Sequence, residues 1–526
     1  MSEPSADAVV AAVRQHSVGN LLRRTALRFP EKTAIINGTV KLNYAEFDAT
    51  VDQCAIALAE RGLRKSDRLV IIGRNSWHYA VLSFATARLG VVLVPVNFSL
   101  GASEVAYLLT HSRAVAVVAD SEFVSTARTA LDQANVAVHI RAVIGTDTHT
   151  DGWEKVDDWV TGAAVAPVEV AVDDDDPIRI MYTSGTESRP KGVLLSSKSL
   201  ISQYVSCIVD GRMASDDIEI HAMPMYHCAQ MDCFFSVDVY LGATSIILSQ
   251  PDAATILRTI EAEGVTKFFA PPTVWIALLA HPDFDRRDLS SLRKGYYGAA
   301  AMPVEVLKEI NSRLPEVSLW NFYGQTELSP VATILQPGDQ MARAGSAGRP
   351  ALNVETRVVD EDDRPVPTGE VGEIVHRSPH STLGYYDDLP KTAEAFRNGW
   401  FHSGDLGRFD EDGYLTVVDR KKDMIKTGGE NVASREVEEA IYLLEGVAEA
   451  AVFAVPHPRW IEAVTAVVVT RAGSDLTPDD VHAHLETRLA GYKRPKYVVF
   501  TDVLPKNPSG KILKRDLRAE YANLAD

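Results

Sequence analysis

The sequence predicts an α/β fold: a large N-terminal region of parallel α/β sheets with a small β-barrel-like part, followed by a small α+β region. Three observations lead to this prediction. Helix and strand patterns alternate over residues 18–248, which indicates parallel strands whose faces are covered by helices. Over residues 355–377 the pattern changes to short strands between Gly, Pro and Asp turns, typical of an antiparallel sheet or barrel. After Arg420 about a hundred residues remain, enough for a small domain.

The individual elements follow from the spacing of apolar residues. Residues 45–61 have the periodicity of an amphipathic helix, and residues 77–89 are predicted as the next helix. Short apolar runs predict strands at 68–73, 91–96, 114–118, 178–181, 244–248, 267–270 and 318–322. The last region is predicted to contain helices at 434–444 and 478–489 and strands at 450–455 and 464–470.

The composition excludes several classes of protein. The 526 residues are too many for one hydrophobic core, and 46% hydrophobic with 24% charged residues indicates a globular protein rather than a disordered or fibrous one. A formal net charge of −18 disfavours nucleic acid and anionic lipid as partners. The four cysteines are too irregularly spaced for a disulfide framework or a zinc site, and they predict packed thiols in a reducing compartment.

The chain also carries none of the patterns that direct a protein into a membrane. Its first fifteen residues include acidic and polar residues where a signal peptide needs a basic start and an apolar run. The most apolar long stretch, residues 80–96, is interrupted by Arg88 and is too short to span a bilayer. We therefore expect a cytoplasmic monomer or homodimer without integral membrane contact.

The most informative motif is Met-Tyr-Thr-Ser-Gly-Thr-Glu-Ser-Arg-Pro-Lys-Gly at residues 181–192, directly after a predicted strand. Small hydroxyl residues and a glycine at a strand end let backbone amides approach phosphate oxygens, and Lys191 adds a positive charge. The motif is not a Walker loop, because Pro190 stands where the second glycine belongs and neither Ser nor Thr follows the lysine. Taken alone, it is also compatible with an ordinary polar turn.

Four further segments carry polar residues suited to a nucleotide: Tyr-Gly-Gln-Thr-Glu at 323–327, Trp-Phe-His-Ser-Gly-Asp-Leu at 400–406, Asp-Arg-Lys-Lys-Asp-Met-Ile-Lys-Thr-Gly-Gly at 419–429 and Pro-Lys-Asn-Pro-Ser-Gly-Lys at 505–511. Thr326 can donate to a phosphate, and Glu327 can hold Mg²⁺. Asp405 follows a turn of small residues and suits a pair of ribose hydroxyls. The last segment ends with Lys511, after a turn rich in proline and glycine.

These five segments, in this order, resemble the adenylate-forming superfamily of acyl-CoA synthetases, amino-acid-activating domains and luciferases, and most closely the fatty-acyl-CoA ligases. The resemblance covers residues 18–517. It implies an enzyme that uses ATP and Mg²⁺ to turn a carboxylic acid into an acyl-adenylate, releases pyrophosphate, and transfers the acyl group to coenzyme A. It also implies a large adenylation domain at 1–421, which binds ATP and the acid, and a small mobile domain at 422–526. The sequence departs from the family at Glu187-Ser188, where relatives commonly have Thr-Gly.

The resemblance also implies roles for individual residues. The phosphates of ATP would be bound by Thr183, Ser184, Gly185, Thr186 and Lys191. The magnesium ion would be held by Glu327 and Thr186. The adenosine would be bound by Gly298, Ala299, Ala300, Tyr323, Gly324, Asp405 and Arg420. The loop that would line a channel for the pantetheine of coenzyme A contains Lys426, Gly428 and Gly429. The catalytic residues would be Lys511, His227, Thr326 and Glu327.

The two-step chemistry explains why the family needs a hinge. A carboxylate that attacks a triphosphate meets strong charge repulsion, and Lys511 would stabilise the charge that develops at the α-phosphate. A thiol must then reach the acyl carbonyl where Lys511 had been. Rotation about Lys422, which stands at the family's hinge position, would withdraw Lys511 and bring in the loop at 427–429.

The acid pocket is predicted to begin near His227, which would either lie beside the acid or be a packed histidine. Ala229 stands where amino-acid-activating relatives have an aspartate, so an α-amino acid is disfavoured. The nearby Asp232 and Asp238 have helical spacings that would also fit exposure to solvent. The predicted lining suits a fatty or aryl acid and comprises Cys233, Tyr296, Tyr297 and Phe322.

Two other interpretations compete with the acyl-CoA ligase. One keeps adenylation but passes an unusual acid to a carrier-protein thiol or an amine. The other is a non-catalytic nucleotide-binding relative, which would predict loss of Lys511, Glu327 or Asp405, whereas all three are present. A further departure from the family is Ile461, because relatives commonly carry a glycine at that position.

Overall fold

The computed structural model describes residues 10, 13–145, 150–161, 170–183, 189–300, 302–471, 473–507 and 512–524. Its strands are β1 Thr33–Asn37, β2 Val40–Asn43, β3 Arg68–Ile72, β4 Val92–Val96, β5 Ala116–Asp120, β6 Ile140–Ile144, β7 Glu154–Lys155, β8 Pro177–Thr183, β9 Lys191–Ser196, β10 Ile218–His221, β11 Thr244–Ile247, β12 Lys267–Phe269, β13 Lys294–Gly298, β14 Ser318–Gly324, β15 Val331–Leu335, β16 Arg349–Pro350, β17 Glu355–Val359, β18 Gly372–Arg377, β19 Gly384–Tyr385, β20 Phe401–Phe409, β21 Leu415–Arg420, β22 Ile425–Thr427, β23 Glu430–Val432, β24 Val447–His457, β25 Ile461–Thr470 and β26 Tyr497–Phe500. Its α-helices are α1 Val18–Arg28, α2 Tyr44–Glu60, α3 Trp77–Leu89, α4 Ala102–Ser112, α5 Val124–Gln133, α6 Ser197–Gly211, α7 Ser236–Leu241, α8 Ala253–Glu263, α9 Pro272–Leu279, α10 Val304–Arg313, α11 Leu389–Ala395, α12 Ser434–Tyr442, α13 Pro478–Glu486 and α14 Lys514–Glu520, and a π-helix covers Ala229–Phe235.

Two large sheets, parallel at their centres, form the N-terminal region. In the first the strand order is β16-β15-β14-β13-β12-β10-β11-β1-β2, and in the second it is β19-β9-β8-β4-β3-β5-β6-β7. The centre of each sheet is parallel and its strands are buried apolar runs, as expected where helices cover both faces. One hydrophobic core contains side chains of both sheets, among them Leu69 on β3 and Ile220 on β10. Both sheets therefore belong to one packed unit, and the predicted α/β class is confirmed.

Helix α3 shows how local sequence and burial combine. Its N-terminus is capped by Ser76, whose hydroxyl accepts from the Tyr79 amide, and it ends at Gly90 with a φ of 64°. All its residues except the first are buried, which agrees with an apolar sequence on every side. Among the described residues, no helix combines the length and apolarity that crossing a membrane requires.

The later part of the chain forms two smaller sheets. Strands β17, β18, β20 and β21 make an antiparallel sheet, as the turn-rich pattern at 355–377 predicts. Strands β22 to β25 form another, with β26 parallel to β25. The two hydrophobic clusters on this last sheet draw their buried side chains from Ile425 onward. The C-terminal region thus has its own core, while the predicted boundary between 421 and 422 stays a prediction.

Candidate active site

The predicted phosphate loop joins two antiparallel strands of the second large sheet. Strand β8 ends at Thr183 and β9 begins at Lys191, and the register pairs these two residues across the mouth of the loop. The predictions for Ser184, Gly185 and Thr186 fall outside the described residues. Both polar groups at the mouth thus lie at one edge of the sheet, where a phosphate can meet backbone amides and an ammonium.

Glu327, the predicted magnesium ligand, is close to that mouth. The hydroxyl of Tyr385 donates to Glu327 Oε1 over 3.0 Å, and the Lys191 ammonium lies 5.1 Å from the centre of the Tyr385 ring. Burial raises the pKa of Glu327, while the hydrogen bond from Tyr385 and the nearby charges of Arg420 and Lys191 oppose the rise. A carboxylate beside a phosphate-binding cation is the oxygen donor that Mg²⁺ prefers, so the residues fit the ion.

The segment around His227, which follows β10, meets Thr326, which follows β14 of the same large sheet. The thiol of Cys228 lies 3.4 Å from the Thr326 hydroxyl, and the amide of Ala229 donates to His227 Nδ1 over 3.2 Å. His227 therefore stands just before the π-helix Ala229–Phe235, and its neighbour Cys228 contacts the predicted catalytic threonine. A π-helical turn is frequent at functional sites.

Asp405 is the centre of a second polar group. Its Oδ2 accepts from the Tyr323 hydroxyl at 2.7 Å and from Gln325 Nε2 at 3.0 Å. Its Oδ1 lies 3.3 Å from Arg420 Nε and accepts no hydrogen bond within the described ranges. The carboxylate is fixed through one oxygen, and the other can accept from a ligand hydroxyl. Sequence reasoning missed Gln325, although it lies inside a motif that had been recognised.

The predicted adenine strip requires its small residues for steric reasons. A Cβ on Gly298 would lie 2.6 Å from the Phe322 carbonyl oxygen, and one on Gly324 would lie 1.9 Å from the Pro330 carbonyl oxygen. Ala299 has a φ of 66°, a conformation that disfavours large side chains. Close backbone contacts inside the sheet therefore require both glycines, and Ala299 and Ala300 follow Gly298 with small, exposed side chains.

The remaining predicted residues belong to the C-terminal region. Lys511 falls outside the described ranges. The amide of Gly428 donates to the Trp460 carbonyl and the amide of Lys426 to Glu462, so this loop is tied to the start of β25. Gly428 and Gly429 have φ values of 60° and 91°, which suits glycine.

The predicted hinge has contacts on both sides. The amide of Lys421 donates to the Gly404 carbonyl, while Asp423 pairs with Arg518 on α14 at 2.7 Å. Lys422 stands between these two anchors, one in the N-terminal region and the other in the C-terminal region. Burial, followed by the charge of Arg420, lowers the pKa of Lys422.

The structure decides one open alternative and corrects one expectation about the acid pocket. Asp232 and Asp238 do not face solvent: Asp232 pairs with Arg179, and Asp238 pairs with Lys267, with all four side chains buried. A buried carboxylate needs a cation nearby, and both cations come from strands of the large sheets. Tyr297 cannot line the pocket together with Tyr296, because consecutive residues of β13 point to opposite faces of the sheet.

Lys267 also contacts a second carboxylate. Its ammonium lies 2.8 Å from Glu219 Oε2, and His221 Nε2 lies 3.3 Å from Asp238 Oδ2. Glu219, His221 and Asp238 have a spacing that would suit a metal ion, yet the lysine ammonium already pairs with both carboxylates. The group is a closed ion network inside the first large sheet.

The aromatic side chains near the pocket form a stack. The ring of Phe234, in the π-helix, lies 4.2 Å from that of Phe269 and 5.8 Å from that of Phe322, nearly parallel to both. Tyr296 meets Phe234 edge-on and stacks on Trp320 at 5.0 Å. Cys233 is buried with its sulfur 3.5 Å from Gln203 Nε2. The π-helix that follows His227 is therefore packed against flat aromatic rings of the first large sheet.

Comparison with known proteins gives a consistent result over the whole chain. Residues 22–386 match the family model described as AMP-binding enzyme, and residues 436–511 match its C-terminal domain. A feruloyl-CoA synthase of Amycolatopsis is 38% identical over 97% of this chain and 100% of its own length. The long-chain-fatty-acid–CoA ligase FadD13 of Mycobacterium tuberculosis is 33% identical over 96% and 99%. The crystal structure of ATP-bound MatB from Rhodopseudomonas palustris is 32% identical, covers 97% of this chain and 100% of MatB, and superposes with a TM-score of 0.88.

Proposed function

This chain belongs to the family of AMP-binding enzymes, and we propose that the acid it activates is apolar, with aryl acids preferred over fatty acids. The protein is an AMP-forming acid–thiol ligase: it uses ATP and Mg²⁺ to convert a carboxylic acid into an acyl-adenylate, and it transfers the acyl group to coenzyme A. The single observation that carries the aryl preference is the stack of Phe234, in the π-helix that follows His227, with Phe269 and Phe322.

In the first step a carboxylate oxygen of the acid attacks the α-phosphorus of ATP, and pyrophosphate leaves. Lys191 would pair with the phosphates at the mouth of the loop, and Thr326 would donate to the α-phosphate. Glu327 and Thr186 would hold Mg²⁺, which neutralises charge on the leaving pyrophosphate when bound. Asp405 would accept from the ribose hydroxyls through Oδ1, the oxygen that neither Tyr323 nor Gln325 occupies.

In the second step the sulfur of coenzyme A attacks the acyl carbonyl, and AMP leaves with the bonding electrons. Lys511 would serve only the first step, because it would occupy the space that the thiol needs. Rotation at Lys422 would exchange Lys511 for the loop that contains Gly428 and Gly429. The separate core of the C-terminal region supports this proposal, since a region that keeps its own core can turn as a unit.

The aryl preference is argued from shape. The ring of Phe322 lies 5.8 Å from the ring of Phe234 and nearly parallel to it, and Phe269 also stacks on Phe234. Flat rings of this kind offer a face on which an aromatic acid can stack. Tyr296 and Trp320 continue the wall with further rings, which limits the room for a long flexible chain. The feruloyl-CoA synthase, which matches at 38% over nearly the whole chain, is named for an aryl acid, and this supports the same choice.

The test is pyrophosphate release, with and without coenzyme A, across straight-chain acids from acetate upward and across benzoate-, phenylacetate- and cinnamate-type acids. We expect kcat/KM to be highest for an aryl acid and to rise along the straight chains by nearly fourfold for each buried methylene, about 0.8 kcal/mol. A flat response, or a maximum at a small polar acid, would contradict an apolar pocket.

A matched pair of variants tests the aromatic wall. Phe322→Leu removes one ring, and we expect the KM for aryl acids to rise by up to about tenfold, since ring–ring contacts contribute about 0.5–1.5 kcal/mol. Tyr297→Phe changes an aromatic residue on the opposite face of the sheet and is expected to leave that KM unchanged. Equal effects of the two substitutions on this KM would show that the aromatic stack does not line the acid pocket.

A further inference from the structure

A short segment of the chain, residues 382–386, lies between the phosphate loop and Glu327, and we call it the strap. The amide of Thr382 donates to the Glu327 carbonyl over 2.8 Å, and the amide of Tyr386 donates to the Gly192 carbonyl over 2.7 Å. Between these anchors β19 pairs antiparallel with β9. The strap therefore connects, through its backbone, two loops that the proposed function assigns to the metal and to the phosphates.

The side chain of Tyr385 makes the same connection. Its hydroxyl donates to Glu327 Oε1 over 3.0 Å, and its ring faces the Lys191 ammonium at 5.1 Å from the ring centre. The tyrosine is buried, so both interactions are shielded from water and are stronger than they would be at an exposed site. One side chain thus contacts both groups that would receive the magnesium–ATP complex.

This arrangement solves an electrostatic problem of the site. A lysine and a glutamate placed close together tend to pair with each other, and each would then be less available to a phosphate or a metal ion. Lys191 and Glu327 both belong to the described residues, and they form no ion pair with each other. The tyrosine holds the carboxylate through its hydroxyl and the ammonium over its ring, which keeps the two charges apart while no ligand is bound.

We propose that Tyr385 is a positioning residue, which fixes the Glu327 carboxylate for Mg²⁺ and the Lys191 ammonium for the phosphates of ATP. The proposal rests on the function proposed above. It is not a requirement of the fold, because the strap is also held by bonds that do not involve the phenol. The amide of Tyr385 donates to the Thr392 hydroxyl over 2.9 Å, and the antiparallel pairing with β9 uses the backbone alone. A phenylalanine at this position can keep the ring and lose only the hydroxyl.

The experiment uses three variants of the full chain: Tyr385→Phe, Tyr385→Leu and, as the matched control, Tyr386→Phe. Isothermal titration calorimetry measures the affinity for ATP in the presence of Mg²⁺ and again in EDTA. Tyr385→Phe is expected to weaken the binding of magnesium–ATP by about tenfold or more and to leave the affinity for metal-free ATP unchanged. The reason is that loss of a group that orients a metal ligand typically costs about 10–100-fold in metal affinity. Tyr385→Leu also removes the ring that the Lys191 ammonium faces, and it is expected to lower the affinity for metal-free ATP by about two- to fivefold.

Two further readouts separate positioning from general damage. Transfer from a chemically prepared acyl-adenylate to coenzyme A needs neither the Glu327 carboxylate nor the Lys191 ammonium. Its rate is therefore expected to be unchanged in Tyr385→Phe. The urea midpoint of that variant is expected to match those of the wild type and of Tyr386→Phe. The proposal would be overturned if Tyr385→Phe bound magnesium–ATP as tightly as the wild type does. It would also be overturned if the variant lost affinity for ATP equally with and without Mg²⁺. Failure of the wild-type enzyme to bind ATP or release pyrophosphate would instead refute the proposed function.

Discussion

Replacing Lys267 with methionine should destabilise the N-terminal region strongly, because it removes a buried charge and leaves its partners behind. In the native fold the ammonium contacts Glu219 at 2.8 Å and also contacts Asp238, and none of the three side chains is exposed. Loss of one partner from a buried ion pair costs about 3–5 kcal/mol, since the remaining charges stay desolvated. We expect the free energy of unfolding to fall by that amount at neutral pH, as measured by urea titration followed by tryptophan fluorescence.

The size of this loss should depend on pH. Burial raises the pKa of Asp238, but the charge of Lys267 and the hydrogen bond with His221 bring it below its usual value, so removal of the lysine raises it. Burial raises the pKa of Glu219 well above its usual range even beside the lysine, and without the lysine it moves further above the unfolded value. A carboxyl of this kind contributes stability below its unfolded pKa, and this stability is lost as pH rises through the folded pKa. The deficit of Lys267→Met is therefore largest at about pH 8 and shrinks towards about pH 5.

A triple variant serves as the control. Glu219→Leu, Asp238→Leu and Lys267→Met together remove the lysine and both carboxylates, and replacement of a complete buried ion group by hydrophobic side chains of similar volume is often close to neutral for stability. We expect the triple variant to recover most of the loss. A triple variant no more stable than Lys267→Met, or a deficit that is the same at both ends of the pH range, would refute the reasoning.

Three other predictions concern the small C-terminal region. Lys511→Ala is expected to abolish pyrophosphate release but to leave transfer from a prepared acyl-adenylate nearly intact; equal losses in the two half-reactions would contradict the two-conformation scheme. Lys422→Pro is expected to do the reverse, because proline restricts φ at the hinge, and normal thioester turnover in this variant would exclude the hinge role. Ile461 has a φ of 70° and is 74% exposed, so Ile461→Gly is expected to stabilise the protein by about 1 kcal/mol, and a lower thermal midpoint would contradict this.

The sequence predicted the fold class and most elements because both depend on local patterns. The helix expected at residues 77–89 agrees with the observed bounds, since apolar residues and the caps at Ser76 and Gly90 mark both ends. The strand expected at 114–118 begins two residues later, at Ala116. Its position is set by pairing with β3, where Leu69 faces Ala116, and an apolar run alone does not encode that register.

The sequence did not reveal contacts between residues far apart in the chain. Tyr385 and Glu327 are 58 positions apart, and Arg179 and Asp232 are 53 apart. A signal for the second pair was nevertheless present, because Arg179 interrupts an apolar strand that was expected to be buried. A cation there requires a buried acid, and Asp232 was available to supply it. Similarly, Ile461 stands where the family resemblance implies a glycine, and its positive φ, which only the structure makes visible, is a conformation that suits glycine.

All four cysteines are free and buried, and this has a practical consequence for studying the hinge. Burial raises the pKa of Cys54 and of Cys228 to about 12, so both thiols stay protonated at neutral pH and react slowly with maleimides. A single new cysteine on each side of residue 422 can therefore carry a fluorophore or a spin label while the native thiols remain in place. Interdomain distances can then be followed through the catalytic cycle in an enzyme that keeps its natural core.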